Sequence, residues 1–274
     1  MDIRLICMDL DGTALQNDHH SFSPRLLAAL EQAHEQGIAI APVTGRQFEL
    51  LPQLLKEHPA WEDLAVLCNG AQVRKLGTGE CLFRLDIPGQ ALKQLLAVAE
   101  NYDLPIEFSV DSTLYLTEHS LRLQQDDPGL AFHRDTILKH NGRLVPSLDA
   151  LRERDVEKVN LLCIPEALRE SVQEDLGKIE VSAVWASGRS MEITHKDASK
   201  GNGLRQLCRL LEIPLENVLA LGDSGNDITM LLEAGLGIAM GNAPDFVRAA
   251  AAGITETNVN DGAAIAIERY ALKK

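Results

Sequence analysis

Residues 7–13 read "CMDLDGT" and follow the apolar run "IRLI" at 3–6. The run has the composition of a buried strand, and two carboxylates, Asp9 and Asp11, stand where it ends. Side chains alternate along a strand, so the spacing predicts both carboxylates on one face, with Leu10 turned into the interior. Gly12 allows a sharp turn there, and Thr13 can hydrogen-bond locally. Two anions this close repel unless a cation sits between them.

Outward from this stretch, strands and helices alternate. "SPRLLAALEQAHEQG" (23–37) is a helix with a capping Ser23, Pro24 in its first turn and Gly37 after its end. Leu26, Leu30 and Ala33 share one of its faces. "IAIAPV" (38–43) is a second buried strand, 46–57 a helix, and "LAVLC" (64–68) a third strand. The pattern resumes late in the chain with a helix from Lys200 to Leu211, the strand "VLAL" (218–221), a helix over 227–234 and the strand "LGIAM" (236–240). Apolar strands alternating with helices predict an α/β fold whose parallel sheet is covered on both faces.

The middle differs. "LFRLDI", a helix, "PIEFSV" and "LYLTE" follow a β-α-β-β order, and "KVNLLCI", a helix, "VSAVWAS" and "RSMEIT" repeat it. These strands alternate and read as half-exposed. Between the two units, about Glu118 to Asp155, lies a charged, Pro/Gly-rich stretch with no assigned element. The expected domains are therefore a core of 1–82 and 191–274 and an inserted α+β module of 83–190.

Four polar sites fall at ends of core strands, where open α/β sheets bind ligands. They are "DLDGT" (9–13), "TGR" (44–46), Lys200 in "SKG", and "GDSGND" (222–227). A hydroxyl beside helix N-terminal amides at Thr44 suits an anion. Taken singly, each site is equally at home as a turn, a cap or a solvated surface residue. An EF-hand does not fit, because glycine comes at loop position four and His20 stands at position twelve. His19 and His20 are adjacent and point apart, which argues against a zinc pair.

Together the four motifs, in this order, resemble the haloacid dehalogenase superfamily of phosphohydrolases. The similarity is to its Cof-type branch with a C2B-type cap, which "CNGA" (68–71) and "MEITHKDASKGNGL" (191–204) also resemble. It covers both core halves, about 165 residues, and the middle only in layout. About thirty residues separate Thr13 from Thr44 and about 155 separate Thr44 from Lys200, so the cap is inserted between the second and third motifs.

The resemblance implies a Rossmann-like doubly wound core and a set of roles. Asp9 is the nucleophile toward phosphorus. Mg²⁺ is the cofactor, held by Asp9, the backbone carbonyl of Asp11 and Asp223, with Asp227 orienting a metal-bound water. Asp11 is the general acid and base. Thr44, the Gly45 amide, Lys200, Asn226 and the Leu10 amide hold the phosphoryl oxygens. Arg46, beside the phosphate turn, and Arg189, near the return to the core, are candidates for touching substrate. The cap closes over the site and contacts the leaving group. The implied activity is hydrolysis of small phosphorylated metabolites, with sugar phosphates expected. A phosphosugar mutase or phosphotransferase, or a non-catalytic phosphometabolite-binding protein, is the alternative.

Bulk composition agrees with a globular protein of this kind. The 274 residues are 45% apolar and 24% charged, with a net charge of −14. That charge argues against a general nucleic-acid or anionic-membrane binder, and 4% aromatic residues offer no base-stacking platform. No apolar run approaches the ~18 residues that span a bilayer, and no secretory leader is expected. The five cysteines contain no C-x-x-C pair and are expected as thiols in a reducing cytoplasm. The expected assembly is a monomer or weak homo-oligomer.

Overall fold

The computed structural model describes residues 2–125, 142–151, 154–186 and 189–272. In chain order the strands are β1 (Leu5–Met8), β2 (Ala39–Pro42), β3 (Ala65–Leu67), β4 (Gln72–Arg74), β5 (Cys81–Arg84), β6 (Ile106–Val110) and β7 (Thr113–Thr117). They continue with β8 (Arg143–Val145), β9 (Lys158–Leu161), β10 (Val181–Ala186), β11 (Ser190–His195), β12 (Val218–Gly222), β13 (Leu236–Ala239) and β14 (Gly253–Ile254). The helices are α1 (Pro24–Glu35), α2 (Gln53–Glu57), α3 (Gly89–Asn101), α4 (Glu118–Gln125) and α5 (Arg169–Leu176). The last four are α6 (Lys200–Leu211), α7 (Ile228–Glu233), α8 (Asp245–Ala250) and α9 (Gly262–Tyr270).

The chain forms two units, one of Met1–Phe83 with Ser199–Lys274 and one of Arg84–Ala198. In the first, a five-stranded sheet runs β14-β13-β12-β1-β2 with every pairing parallel. Leu5 and Cys7, with Ala41, Val218 and Ala220, pack on Leu204 and Leu207 of α6 and Met230 of α7. The alternate residues Ile6, Met8, Ile40, Leu219 and Leu221 are equally buried, so both faces are covered. α1 packs on β2 and α9. Its Ser23 hydroxyl caps the helix by accepting from the Leu26 amide at 3.1 Å. Burying Leu26 and Leu30 contributes about 1.5–3 kcal/mol each.

Three expectations for this unit change. The single helix over 46–57 is a 3-10 turn at Phe48–Leu50 followed by α2, because Pro52 cannot continue a helix begun upstream. The third strand, β3, meets the parallel sheet only through a Val43–Val66 bridge, and pairs antiparallel with β4 instead. "LFRLDI" supplies β5 of that three-stranded sheet, ordered β3-β4-β5, rather than a strand of the middle module.

The second unit holds a six-stranded sheet ordered β10-β11-β9-β6-β7-β8. Ile106, Phe108, Val159, Leu161, Met191 and Ile193 form one face, which shares a core with residues of α3 and α5. On the other face the register places Glu107, Asn160 and Glu192 in one row, with Ser109 beside Lys158 in the next. The sequence suggests a half-exposed face, yet Glu107, Ser109 and Lys158 are buried. Glu107 accepts from Gln124 Nε2 of α4 at 3.0 Å, and Lys158 pairs with Glu192.

The second unit also runs further than expected, to Ala198 instead of residue 190. β11 is the reason: it pairs with β9 and β10, so its backbone hydrogen bonds belong to the second sheet. Within the unassigned 118–155 stretch, α4 begins at a Thr117 cap whose hydroxyl accepts from the Ser120 amide at 3.0 Å. Residues 126–141 and 152–153 of that stretch, and Ser187 of "VSAVWAS", lie outside the described residues. No described helix is long and apolar enough to cross a membrane. The five cysteines form no disulfide, and Cys7, Cys68 and Cys208 are buried.

Candidate active site

β1 stops at Met8, and a turn begins at Leu10. Asp9 is therefore the last residue before the turn, and the strand's pairing does not reach Asp11. The turn closes through hydrogen bonds from the Ala14 amide to the Asp9 carbonyl and from the Leu15 amide to the Leu10 carbonyl. Each of the two side chains has its own partner within the protein. Asp9 Oδ1 meets Lys200 Nζ at 2.8 Å. Asp11 accepts from Arg46 Nε and Nη2 at 2.7 and 2.6 Å and contacts His19 Nδ1 at 2.8 Å.

Lys200 opens α6 and is 1% exposed. Its ammonium also meets Asp227 Oδ1 at 2.6 Å. The other Asp227 oxygen accepts from the Asp223 and Ser224 amides at 3.0 and 2.9 Å, which fastens the 222–227 turn at the end of β12. Both Asp227 oxygens are thus occupied by the protein. Asp223 accepts from the Thr13 hydroxyl at 2.8 Å, a long-range bond where the sequence suggests a local one.

Asp9, Asp223 and Asp227 converge, with one carboxylate oxygen of each within 4.8 Å of the others. Burial raises the Asp9 carboxyl well above its usual range, against the opposing pull of Lys200. Burial, reinforced by Asp227, pushes Asp223 up to about 6. Burial alone would lower Lys200, but Asp227 and Asp9 outweigh it and the ammonium is held protonated. Three converging carboxylates beside one ammonium leave an excess of negative charge, and an all-oxygen donor set suits a hard divalent cation. The donors present therefore fit Mg²⁺. For Asp11, burial acts upward, but hydrogen bonds from Arg46 and His19 prevail and its carboxyl is lowered.

Gly12 has φ of +76°, and a Cβ there would lie 2.4 Å from Asp223 Oδ2. The turn after Asp11 thus needs both the left-handed backbone and the absent side chain. Gly12→Ala should cost about 1–2 kcal/mol from the backbone alone, more with the overlap, and should weaken Mg²⁺ binding. Thermal unfolding with and without Mg²⁺ measures both.

The phosphate-binding candidates divide. Thr44 is buried; its hydroxyl accepts from the Arg46 amide at 3.1 Å, which leaves its hydrogen to donate. Gly45 sits in the same turn. Leu10 is fully buried. Asn226 donates to Asn69 Oδ1 at 3.0 Å and accepts from the Ser224 hydroxyl. Arg46 is bound to Asp11. Arg189 is exposed in the turn before β11, in the second unit, where its carbonyl accepts from the Ile164 amide.

Sequence reasoning missed two residues. Asn69, buried with φ of 55°, steadies Asn226, and its signal was the "NG" turn inside "CNGA". Asn242 donates to the Gly12 carbonyl at 2.9 Å and to Asp223 Oδ2 at 3.4 Å. It follows β13 at the same sheet edge, so its place after "LGIAM" was the clue.

The family described as haloacid dehalogenase-like hydrolase matches residues 6–267. The chain belongs to that family. It is a Cof-type phosphatase of the haloacid dehalogenase superfamily, a phosphoric monoester hydrolase. It is 32% identical over 284 residues to YxeH of Bacillus subtilis, covering 99% of each chain. It is 28% identical over 275 residues to 5-amino-6-(5-phospho-D-ribitylamino)uracil phosphatase YcsE of Bacillus subtilis, covering 99% of this chain and 97% of that protein. Among solved structures, the HAD subclass IIB sugar phosphatase BT4131 superposes with a TM-score of 0.84 at 25% identity, over 97% of this chain and 98% of that one.

Proposed function

We propose that this Cof-type phosphatase is Mg²⁺-dependent and hydrolyses small phosphorylated metabolites, sugar phosphates above all, through an aspartyl-phosphate on Asp9. The carrying observation is Asp9 itself: a buried carboxylate at the sheet edge, on Lys200, in a triad with Asp223 and Asp227. Similarity to a sugar phosphatase and to a phosphatase of a ribityl phosphate supports the substrate class. The unit Arg84–Ala198 is the proposed specificity element, and Arg189 a proposed substrate contact.

Asp9, the Asp11 carbonyl and Asp223 would hold the metal, with Asp227 setting the orientation of Asp223 through its backbone. When bound, Mg²⁺ supplies the positive charge that lets a carboxylate approach a phosphate dianion. An Asp9 oxygen attacks phosphorus, and the ester P–O bond breaks. The leaving alkoxide takes a proton from Asp11, which must carry that proton against the Arg46 and His19 contacts that lower its carboxyl. A water then gives its proton to Asp11 and attacks phosphorus, the bond to Asp9 breaks, and inorganic phosphate leaves. Lys200, Thr44, the Gly45 and Leu10 amides and Asn226 hold the phosphoryl oxygens.

A panel of phosphomonoesters assayed with Mg²⁺, with EDTA and after Mg²⁺ is restored tests the reading. Turnover should vanish with EDTA and return with Mg²⁺; EDTA-insensitive turnover overturns it. An isomerised phosphosugar in place of free phosphate would favour the mutase alternative.

A pH series adds an independent check. Asp223, near 6 in the folded chain and about 3.9 unfolded, makes the native state bind the extra proton between those values. Its stabilising share is complete below about 4 and is lost as pH rises through about 6. Metal binding displaces that proton, so Mg²⁺ affinity should rise over the same window. Melting temperature against pH, with and without Mg²⁺, records both trends.

A further inference from the structure

We infer that Arg46 is the positioning residue of the proton-transfer carboxylate: it fixes Asp11 in place and ties it to the His19 backbone and to the Thr44 turn. The inference rests on the role of Asp11 proposed above. The guanidinium places Nε on Asp11 Oδ2 and Nη2 on Asp11 Oδ1, at 2.7 and 2.6 Å. Nη2 also donates to the His19 carbonyl at 2.9 Å, and Nη1 to the Leu50 carbonyl at 3.0 Å. Four of the five N–H groups of an arginine are therefore used within the protein.

The backbone of Arg46 is equally committed. Its amide donates to the Thr44 hydroxyl at 3.1 Å, and its carbonyl accepts from the Cys68 amide at 3.0 Å. The side chain is only 16% exposed, against 39% for Asp11. A two-pronged guanidinium–carboxylate pair fixes the plane of the carboxylate as well as its position, which a lysine ammonium cannot do. His19, donated to through its carbonyl and in contact with Asp11 through its ring, is held by the same fork. Arg46 thus joins residues 9–19 to the Thr44 turn, segments paired across 35 positions of sequence.

This placement has a chemical consequence. Proton transfer requires the donor and acceptor heavy atoms at about 2.6–3.2 Å, and a misplacement of about 1 Å costs about 10²-fold. Loss of the fork should fall hardest on substrates whose leaving oxygen must be protonated. An alkyl phosphate needs that proton, whereas p-nitrophenyl phosphate releases a phenolate stable without it.

Arg46→Ala, Arg46→Lys and Asp11→Asn are to be compared on the fastest alkyl phosphate of the panel and on p-nitrophenyl phosphate. For Arg46→Ala the expected result is a fall in alkyl kcat of about 10²-fold with KM changed less than about twofold. The aryl substrate should lose less than about tenfold, and lysine should restore only part of the loss. In an Asp11→Asn background, Arg46→Ala should add nothing further.

A raised KM with kcat intact would overturn the inference in favour of substrate contact. Equal losses on both substrates, or additive losses in the Asp11→Asn background, would overturn it as well. If Arg46→Ala does not fold, Arg46→Lys and Arg46→Gln make the same comparison. Wild-type protein that turns over neither substrate, or Asp11→Asn that shows no bias toward the aryl substrate, defeats the role of Asp11 instead, so the two failures are separable.

Discussion

Asp9→Asn should abolish phosphate release, by about 10⁴-fold or more, while leaving the protein folded. The amide is nearly isosteric but cannot attack phosphorus or carry an acyl phosphate. Its effect on stability should run the other way. Burial raises the Asp9 carboxyl, so the native state bears a cost for ionising it. A neutral side chain removes that cost, and Lys200 keeps Asp227 at 2.6 Å. Metal-free Asp9→Asn should therefore melt at or above the wild-type temperature near neutral pH, and gain less from added Mg²⁺. Parallel measurement of phosphate release and thermal unfolding checks both signs. Loss of activity together with strong destabilisation would mean that Asp9 is mainly structural.

Lys200→Met should lose on both counts. The substitution keeps an unbranched apolar stem one atom shorter and removes the ammonium from between two buried carboxylates, Asp9 and Asp227. Breaking a buried ion pair from one side costs about 3–5 kcal/mol because the remaining charge stays in a poorly solvated place. Here the remaining charges are also anchors, since Asp227 holds the Asp223 and Ser224 amides. Turnover should fall by about 10²–10³-fold, the usual scale for removing one electrostatic donor from a reacting oxygen. Adding Asp227→Asn should recover part of the stability and none of the activity. Full recovery of activity in the double variant would show that Lys200 serves the fold alone.

The four polar motifs were legible because each is short and sits where a buried strand ends. "IRLI", "IAIAPV" and "VLAL" announce strands by composition, and the polar residues after them must fall at one sheet edge once the strands are parallel. Local rules also located the Ser23 cap and the face of α1. Pro52 is a local signal that divides the expected helix over 46–57. The rules failed where the deciding constraint was not local: β5 pairs with β4 of the first unit. Asn69 and Asn242 went unnoticed because a single asparagine in a turn looks the same whether it faces solvent or braces an active site.

By itself, "CMDLDGT" determined that a buried strand ends in two carboxylates and a glycine turn, and with the three later motifs it determined the family and the sheet edge that carries the chemistry. Only the tertiary structure decided how the two carboxylates differ. Strand alternation predicts one shared face, but the strand ends at Met8, and from there each side chain follows its long-range partner. Asp9 is drawn to Lys200 from a helix almost two hundred residues on, and Asp11 to Arg46 from the second strand's end. Backbone periodicity is a local property that a sequence displays directly. The pairing of a buried charge depends on which distant segment brings the opposite charge, and that is settled only when the chain has folded.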